Sequence, residues 1–163
     1  QSLRSPSARP DGPTRTLTII VWHRQNDDSR KLAQLPGIGP ITANALVATV
    51  GDAKSFENGQ QMAAWLGLVP RQHSSGGRNV LLGVSKQGDV YLRTLLIHGA
   101  RSVLYAAQRK KQATAGWLGG LLKRRNANVA AVALANKNAR IVWALRAHDH
   151  AFRPDYTATN APA

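Results

Sequence analysis

A chain of 163 residues can bury a substantial core, and this one reads as a single domain with a tail at each end. Lysine and arginine number 22 against 8 acidic residues, a formal net charge of +14, so composition points to a polyanionic partner, nucleic acid before an anionic membrane surface. The lack of cysteine excludes disulfides and thiolate metal sites, and no apolar run approaches the roughly 20 residues that span a bilayer.

The chain begins at Gln1 and its single methionine is Met62, so it reads as a fragment or a processed product. Residues 1–16 are rich in Pro, Ser and Arg and show no periodicity, the composition of a flexible tail. Leu17 to Trp22 is a short apolar run, readable as a strand or as the start of a helix. The helical spacing of Trp22, Gln25, Asn26, Ser29, Leu32 and Ala33 predicts a helix over about 22–34, which leaves 1–21 as tail.

The stretch LPGIGPITANALVATVG (35–51) follows. Gly37 and Gly39 permit a very tight turn. The N–H groups that open the next helix have no partner within it and face outward at its positive end, a ready phosphate site. Ile38 would plug the turn into the core, and Ala43 and Ala45 would let two helices pack closely. The arrangement resembles a helix-hairpin-helix motif, at about 26–50, which grips nucleic-acid backbone without reading sequence. Its candidate DNA contacts are Gly37, Ile38, Gly39 and Thr42. The alternative is a Gly-Pro turn that merely joins two helices.

A helix over about 41–50 should end at Gly51, and Phe56 should anchor the connection that follows. A short helix over 60–66 turns Met62, Ala63 and Leu66 inward. From Gly67 to Asp89 helical periodicity is lost, and this stretch reads as a long loop of the kind that is usually functional or disordered. A long helix then runs to about Arg109, with Leu92, Leu95, Leu96, Gly99, Val103 and Ala107 along one stripe and Arg93 and Arg101 elsewhere. Gly99 costs that helix about 1 kcal/mol against alanine, which suggests a close crossing there. A short helix over 114–122 carries Trp117 and leads into Lys123, Arg124 and Arg125. Asn128 should cap a last, central helix over about 129–148, and 149–163 reads as a second tail. The predicted class is all-α, a compact bundle of about six helices.

Phosphoryl transfer on metal usually needs clustered carboxylates. Here the acids are scattered; only Asp27 and Asp28 adjoin, and neighbours on a helix diverge. His23, His73, His98, His148 and His150 show no metal-ligand spacing, and neither a Walker loop nor a dinucleotide fingerprint is present. What remains is His73-Ser74-Ser75-Gly76-Gly77. A serine hydroxyl in basic surroundings can attack a phosphate, with Arg71, Arg78 and Lys86 stabilising the developing charge. Ser-Ser-Gly-Gly is also ordinary flexible-loop composition, and spacing alone does not separate the two.

Four blocks, LPGIGPITANALVATVGD, AAWLGLVPRQHSSGG, GVSKQGDVYLRTLLIHGAR and VAAVALANKNARIVWAL, resemble in order and spacing the C-terminal domain of IS110/IS116/IS902 family transposases. The resemblance spans about residues 22–148. It implies DNA transposition by a serine-using recombinase, in which an N-terminal RuvC-like domain supplies four acidic residues for a divalent metal (Mg2+) and the C-terminal domain supplies the nucleophile. That nucleophile falls on Ser75, with Ser74 as the fallback. The family's next block falls on Ser85, Lys86, Gly88, Asp89, Leu92 and Arg93, implying that these organise the site and contact DNA; Arg93 joins Arg71, Arg78 and Lys86 as a phosphate ligand. Implied partners are DNA, a guide RNA from the element in some members, and further copies of the chain. The implied location is the bacterial cytoplasm, at the nucleoid.

The RuvC-like domain has no counterpart in this sequence, which fits the scattered acids. The chain therefore reads as the serine-bearing half, holding no cofactor of its own and inactive alone. The alternatives are a non-catalytic nucleic-acid-binding helix-hairpin-helix module, and an assembly domain whose basic surface serves solubility.

Overall fold

The computed structural model describes residues 12–75, 78–84, 88–109 and 116–153. Among these the body is all-helical, built from seven α-helices: α1 (Gly12–Gln25), α2 (Asp27–Leu32), α3 (Pro40–Val50), α4 (Gly59–Trp65), α5 (Val90–Arg109), α6 (Gly116–Arg124) and α7 (Ala127–Ala147). A 3-10 turn at Ala53–Ser55 links α3 to α4. Between α4 and α5 the chain forms an antiparallel hairpin of β1 (Pro70–Ser75) and β2 (Arg78–Val84).

α7 is the central element, packed against both α5 and α4, while α1 and α2 pack on α3. Its inner face is short-chained: Ala130, Ala131, Ala135 and Ala139 are fully buried, and Leu134, Val142 and Leu145 are buried with them. Small side chains let neighbours approach closely, and a Cβ added to Gly59 of α4 would lie 3.0 Å from the Arg140 Cα. The larger side chains that fill the remaining space are Leu32, Leu35, Leu46, Met62, Leu66, Leu68, Leu92 and Leu96. Trp143 also ties α7 to the α3–α4 connection, its indole N–H donating to the Ala53 and Phe56 carbonyls at 3.1 and 3.2 Å.

Three expectations are corrected. The helix expected from residue 22 begins at Gly12, so residues 12–21 are not tail. Half-buried Ile19 and Ile20 dock this stretch on α3, and the Asn44 amide donates to the Ile19 carbonyl at 2.8 Å. That tertiary contact overrides a Pro- and Thr-rich start. The same expected helix is broken at Asn26, whose side chain accepts from the Ser29 N–H at 2.9 Å and starts α2 afresh, with Asp27 and Asp28 in its first turn. At the other end the cap of α7 is Asn126, which accepts from the Val129 N–H at 2.9 Å, rather than Asn128.

The third correction concerns the expected loop over 67–89, most of which is the hairpin. Its signal was present: a Gly-Gly pair between two runs, the second (Val80, Leu81, Leu82, Val84) rich in strand formers. α5 starts at Val90, capped by Asp89, which accepts from the Leu92 N–H at 2.8 Å. No helix among the described residues is long and apolar enough to cross a membrane.

Candidate nucleic-acid interface

The hairpin leaves and re-enters the body through a narrow neck. Gly88 has φ +102°, and a Cβ there would lie 1.8 Å from the Trp65 carbonyl oxygen and 3.2 Å from the Gly67 nitrogen. The end of α4 and the start of α5 thus meet backbone to backbone. Asn136 of α7 braces this neck from below, its amide donating to the Leu68 carbonyl at 3.1 Å.

Backbone pairing then sets the arrangement of the predicted residues. Ser75 pairs with Arg78, Ser74 with Asn79, His73 with Val80, Gln72 with Leu81 and Pro70 with Val84. Between the last two pairs, Arg71 alone opposes Leu82 and Gly83, a bulge of the kind that bends a ribbon and re-aims it. Ser75 and Arg78 are the residues on either side of the tip. Strand alternation puts 73, 75, 78 and 80 on one face of the ribbon and 72, 74, 79 and 81 on the other. The adjoining serines therefore belong to opposite faces, and choosing between them is choosing a face. Lys86 and the glycines at the tip lie outside the described residues.

The Gly37–Gly39 turn is more structural than its sequence suggests. Ile38 is 3% exposed, the core plug expected of it, and Thr42 is 7% exposed, so neither side chain offers a surface to DNA and Thr42 belongs to the core. Gly37, at φ +91°, is pressed against α5, where an added Cβ would lie 3.0 Å from the Gly99 carbonyl oxygen. The turn is also tied to α7, because the buried Asn138 amide donates to the Pro36 carbonyl at 2.9 Å. Gly39 alone of the four is exposed, at the N-cap of α3, beside Pro40 and the 45%-exposed Ile41.

Arg93 also changes role. It is buried at 9% exposure, and its guanidinium reaches the Leu66 carbonyl at 3.5 Å, so it helps hold α5 to the end of α4 instead of presenting a charge to DNA. Asn136 and Asn138 are the structural residues that sequence reasoning missed. Two amides within an alanine-rich helix are the signal that could have found them, since asparagine favours caps and turns unless it has a partner.

Charge is unevenly spread. The ion pairs among the described residues are Arg30–Asp27, Lys31–Asp149 and Arg146–Asp28, all at the α2 end of the molecule. Lys31 donates to Asp149 at 2.6 Å; that hydrogen bond first, and the lysine charge second, hold the Asp149 carboxyl below the usual aspartate range and raise the Lys31 ammonium. Away from that end, Lys123, Arg124, Arg125, Lys137 and Arg140 are exposed on α6 and α7 and the turn between them. No three His, Asp or Glu residues gather as metal ligands among the described residues.

A family model described as Transposase IS116/IS110/IS902 family matches residues 29–115, which run from α2 past the end of α5 and include the turn, the neck and the whole hairpin. The chain belongs to the IS116/IS110/IS902 transposase family. It is 59% identical over 125 residues to a probable family 20 transposase of Pseudomonas aeruginosa, covering 77% of this chain and 37% of that protein. It is 49% identical over 130 residues to the transposase for insertion sequence element IS1111A of Coxiella burnetii, covering 80% of this chain and 36% of that protein. A pilin gene-inverting protein of Moraxella bovis is 35% identical over 65 residues, 40% of this chain and 19% of its own. This transposase-family chain thus spans little more than a third of the first two relatives, and its family membership rests on the segment that carries both serines.

Proposed function

We propose that this chain is the nucleophile-bearing part of a DNA transposase, in which the Ser75 hydroxyl attacks a strand phosphate. The Ser75 oxygen would bond to phosphorus while a deoxyribose oxygen departs with the proton, leaving a phosphoserine-linked strand end. A hydroxyl from another strand then attacks the same phosphorus and releases the serine, which joins the strands. Arg78, with Arg71 and Lys86, would stabilise the added negative charge on the phosphoryl oxygens. The observation that carries this reading is the hairpin register: the face of the ribbon that holds Ser75 also holds Arg78 and His73, whereas the Ser74 face holds Asn79 and Gln72. A cation and an imidazole are the surroundings a serine nucleophile needs. The glycines that follow Ser75 would let a DNA backbone approach closely.

In this reading the metal chemistry belongs to a separate RuvC-like domain, and no step is derived through a metal held by this chain. DNA is the substrate, further copies of the chain complete the assembly, and a guide RNA from the element would select sites. The second reading, a non-catalytic helix-hairpin-helix module, retains the exposed N-terminus of α3 at Gly39 as its one surface contact. Burial of Thr42 removes one of its candidate contacts.

The test is Ser75→Ala in a complex with the acidic domain. Loss of strand transfer and of the covalent protein–DNA adduct, with DNA binding retained, supports the nucleophile. Transfer at the wild-type rate overturns it, and loss in Ser74→Ala alone moves the role to the other face.

A further inference from the structure

The exposed side of α7 faces an open groove of about 490 Å3 with a mostly polar lining: Glu57, Asn58, Gln60, Gln61, Asn136 and Arg140, with Ala64 and Val69 as its apolar members. Several of the amides are already half used. Asn58 spends its oxygen on the Gln61 N–H, Gln61 spends its oxygen on the Glu57 N–H, and Asn136 spends its amino group on the Leu68 carbonyl. What they leave over is complementary: amino groups from Asn58 and Gln61, and a carbonyl oxygen from Asn136. The exposed Arg140 guanidinium and Glu57 carboxylate stand beside them. Amide, guanidinium and carboxylate are the side chains that read nucleobase edges.

Lys137 stands three residues before Arg140, and so neighbours it on the surface of α7; its ammonium lies 4.6 Å from the centre of the Trp117 ring. Trp117 is nonetheless 46% exposed, and Lys123 and Arg124 follow it on α6, also exposed. An indole steadied by a cation beside exposed positive charge is a stacking platform for an unpaired base, and stacking of this kind tolerates any sequence. Val69, which lines the groove, is the last residue before β1, so the surface begins at the neck of the hairpin that carries Ser75.

We propose that the α4–α7 groove and the Trp117–Lys137 pair form one binding surface for a single-stranded segment of nucleic acid, with a base stacked on Trp117, a neighbouring base edge in the amide groove and a phosphate on Arg140. The inference rests on the nucleic-acid reading above and adds that the bound segment is unpaired. Its chemistry is shared by a DNA strand opened beside the cleavage point and by a single-stranded RNA.

The test is fluorescence anisotropy of this chain with labelled single-stranded DNA, single-stranded RNA of the same sequence, and duplex DNA. Trp117→Ala should weaken single-strand binding by roughly 5- to 100-fold, with Trp117→Phe retaining most of the affinity, while duplex binding changes little. Arg140→Gln should flatten the salt dependence of single-strand binding by about 0.7 in log K against log salt, as expected for one lost phosphate contact. Trp117→Ala should leave that slope unchanged. Lys54→Ala, an exposed charge loss elsewhere, controls for net charge. A loss confined to the DNA strand, confined to the RNA, or common to both supports the surface and identifies its source. Wild-type affinity in Trp117→Ala, or an equal loss on duplex, overturns the surface while the nucleic-acid reading stands. A wild-type chain that binds none of the three probes overturns both.

Discussion

The Gly37 carbonyl oxygen occupies the place where a side chain at position 99 would begin: a Cβ on Gly99 would lie 1.8 Å from it. The turn before α3 and the middle of α5 are thus in backbone contact. On helix propensity, Gly99→Ala should stabilise α5 by about 1 kcal/mol. The clash is with backbone on both sides and cannot be relieved by turning a rotamer, so overpacking wins. We expect a net destabilisation of about 2–3 kcal/mol, read as a lower midpoint in urea unfolding. A midpoint at or above wild type would show that the turn does not sit where the structure places it.

Asn138 serves the same turn from the opposite side. At 4% exposure its amide donates to the Pro36 carbonyl, and truncation would leave that acceptor unsatisfied beside a small cavity. Asn138→Ala should cost about 1–3 kcal/mol in chemical denaturation. Asn138→Asp should cost at least as much, since it replaces the donor with a carboxylate facing a carbonyl. Equal stability of all three proteins would refute the bond.

Lys31 and Asp149 form an exposed pair whose effect is on titration more than on stability. The Asp149 carboxyl, held below its ordinary value of 3.8, favours the folded state above that value, and the contribution fades as pH falls through the lowered one. The Lys31 ammonium, raised above 10.5, contributes below that value and fades as pH climbs past the raised one. Carboxyl NMR should give Asp149 a midpoint below 3.8 that returns to the ordinary range in Lys31→Met. An unmoved midpoint would mean the two side chains do not meet in solution.

Opposite faces of the hairpin predict a contrast between cross-strand partners. Arg78 pairs with Ser75 and Asn79 with Ser74. If Ser75 is the nucleophile, Arg78→Ala should cut the strand-transfer rate by roughly 100-fold or more, the scale of one lost charge-stabilising contact. Asn79→Ala should cut it far less. The reverse order would place the chemistry on the Ser74 face.

Much of this protein was readable without coordinates, for reasons that are local. Net charge is a sum over the chain, helical periodicity in α5 and α7 depends on spacing alone, and the blocks around Gly37 and Ser75 carry the family resemblance as short strings. Burial is different, because it depends on what arrives from elsewhere in the chain. Arg93 reads as a phosphate ligand until its burial against the end of α4 is seen, and Thr42 reads as available until the core closes over it. Residues 12–21 looked like tail until α3 offered a surface to dock on. The two serines are indistinguishable as neighbours in a string, and they part only when pairing with β2 sends successive residues to opposite sides of a ribbon. Composition and periodicity were enough to make this a basic helical protein, whereas long-range packing and strand register chose which of its polar groups face a partner.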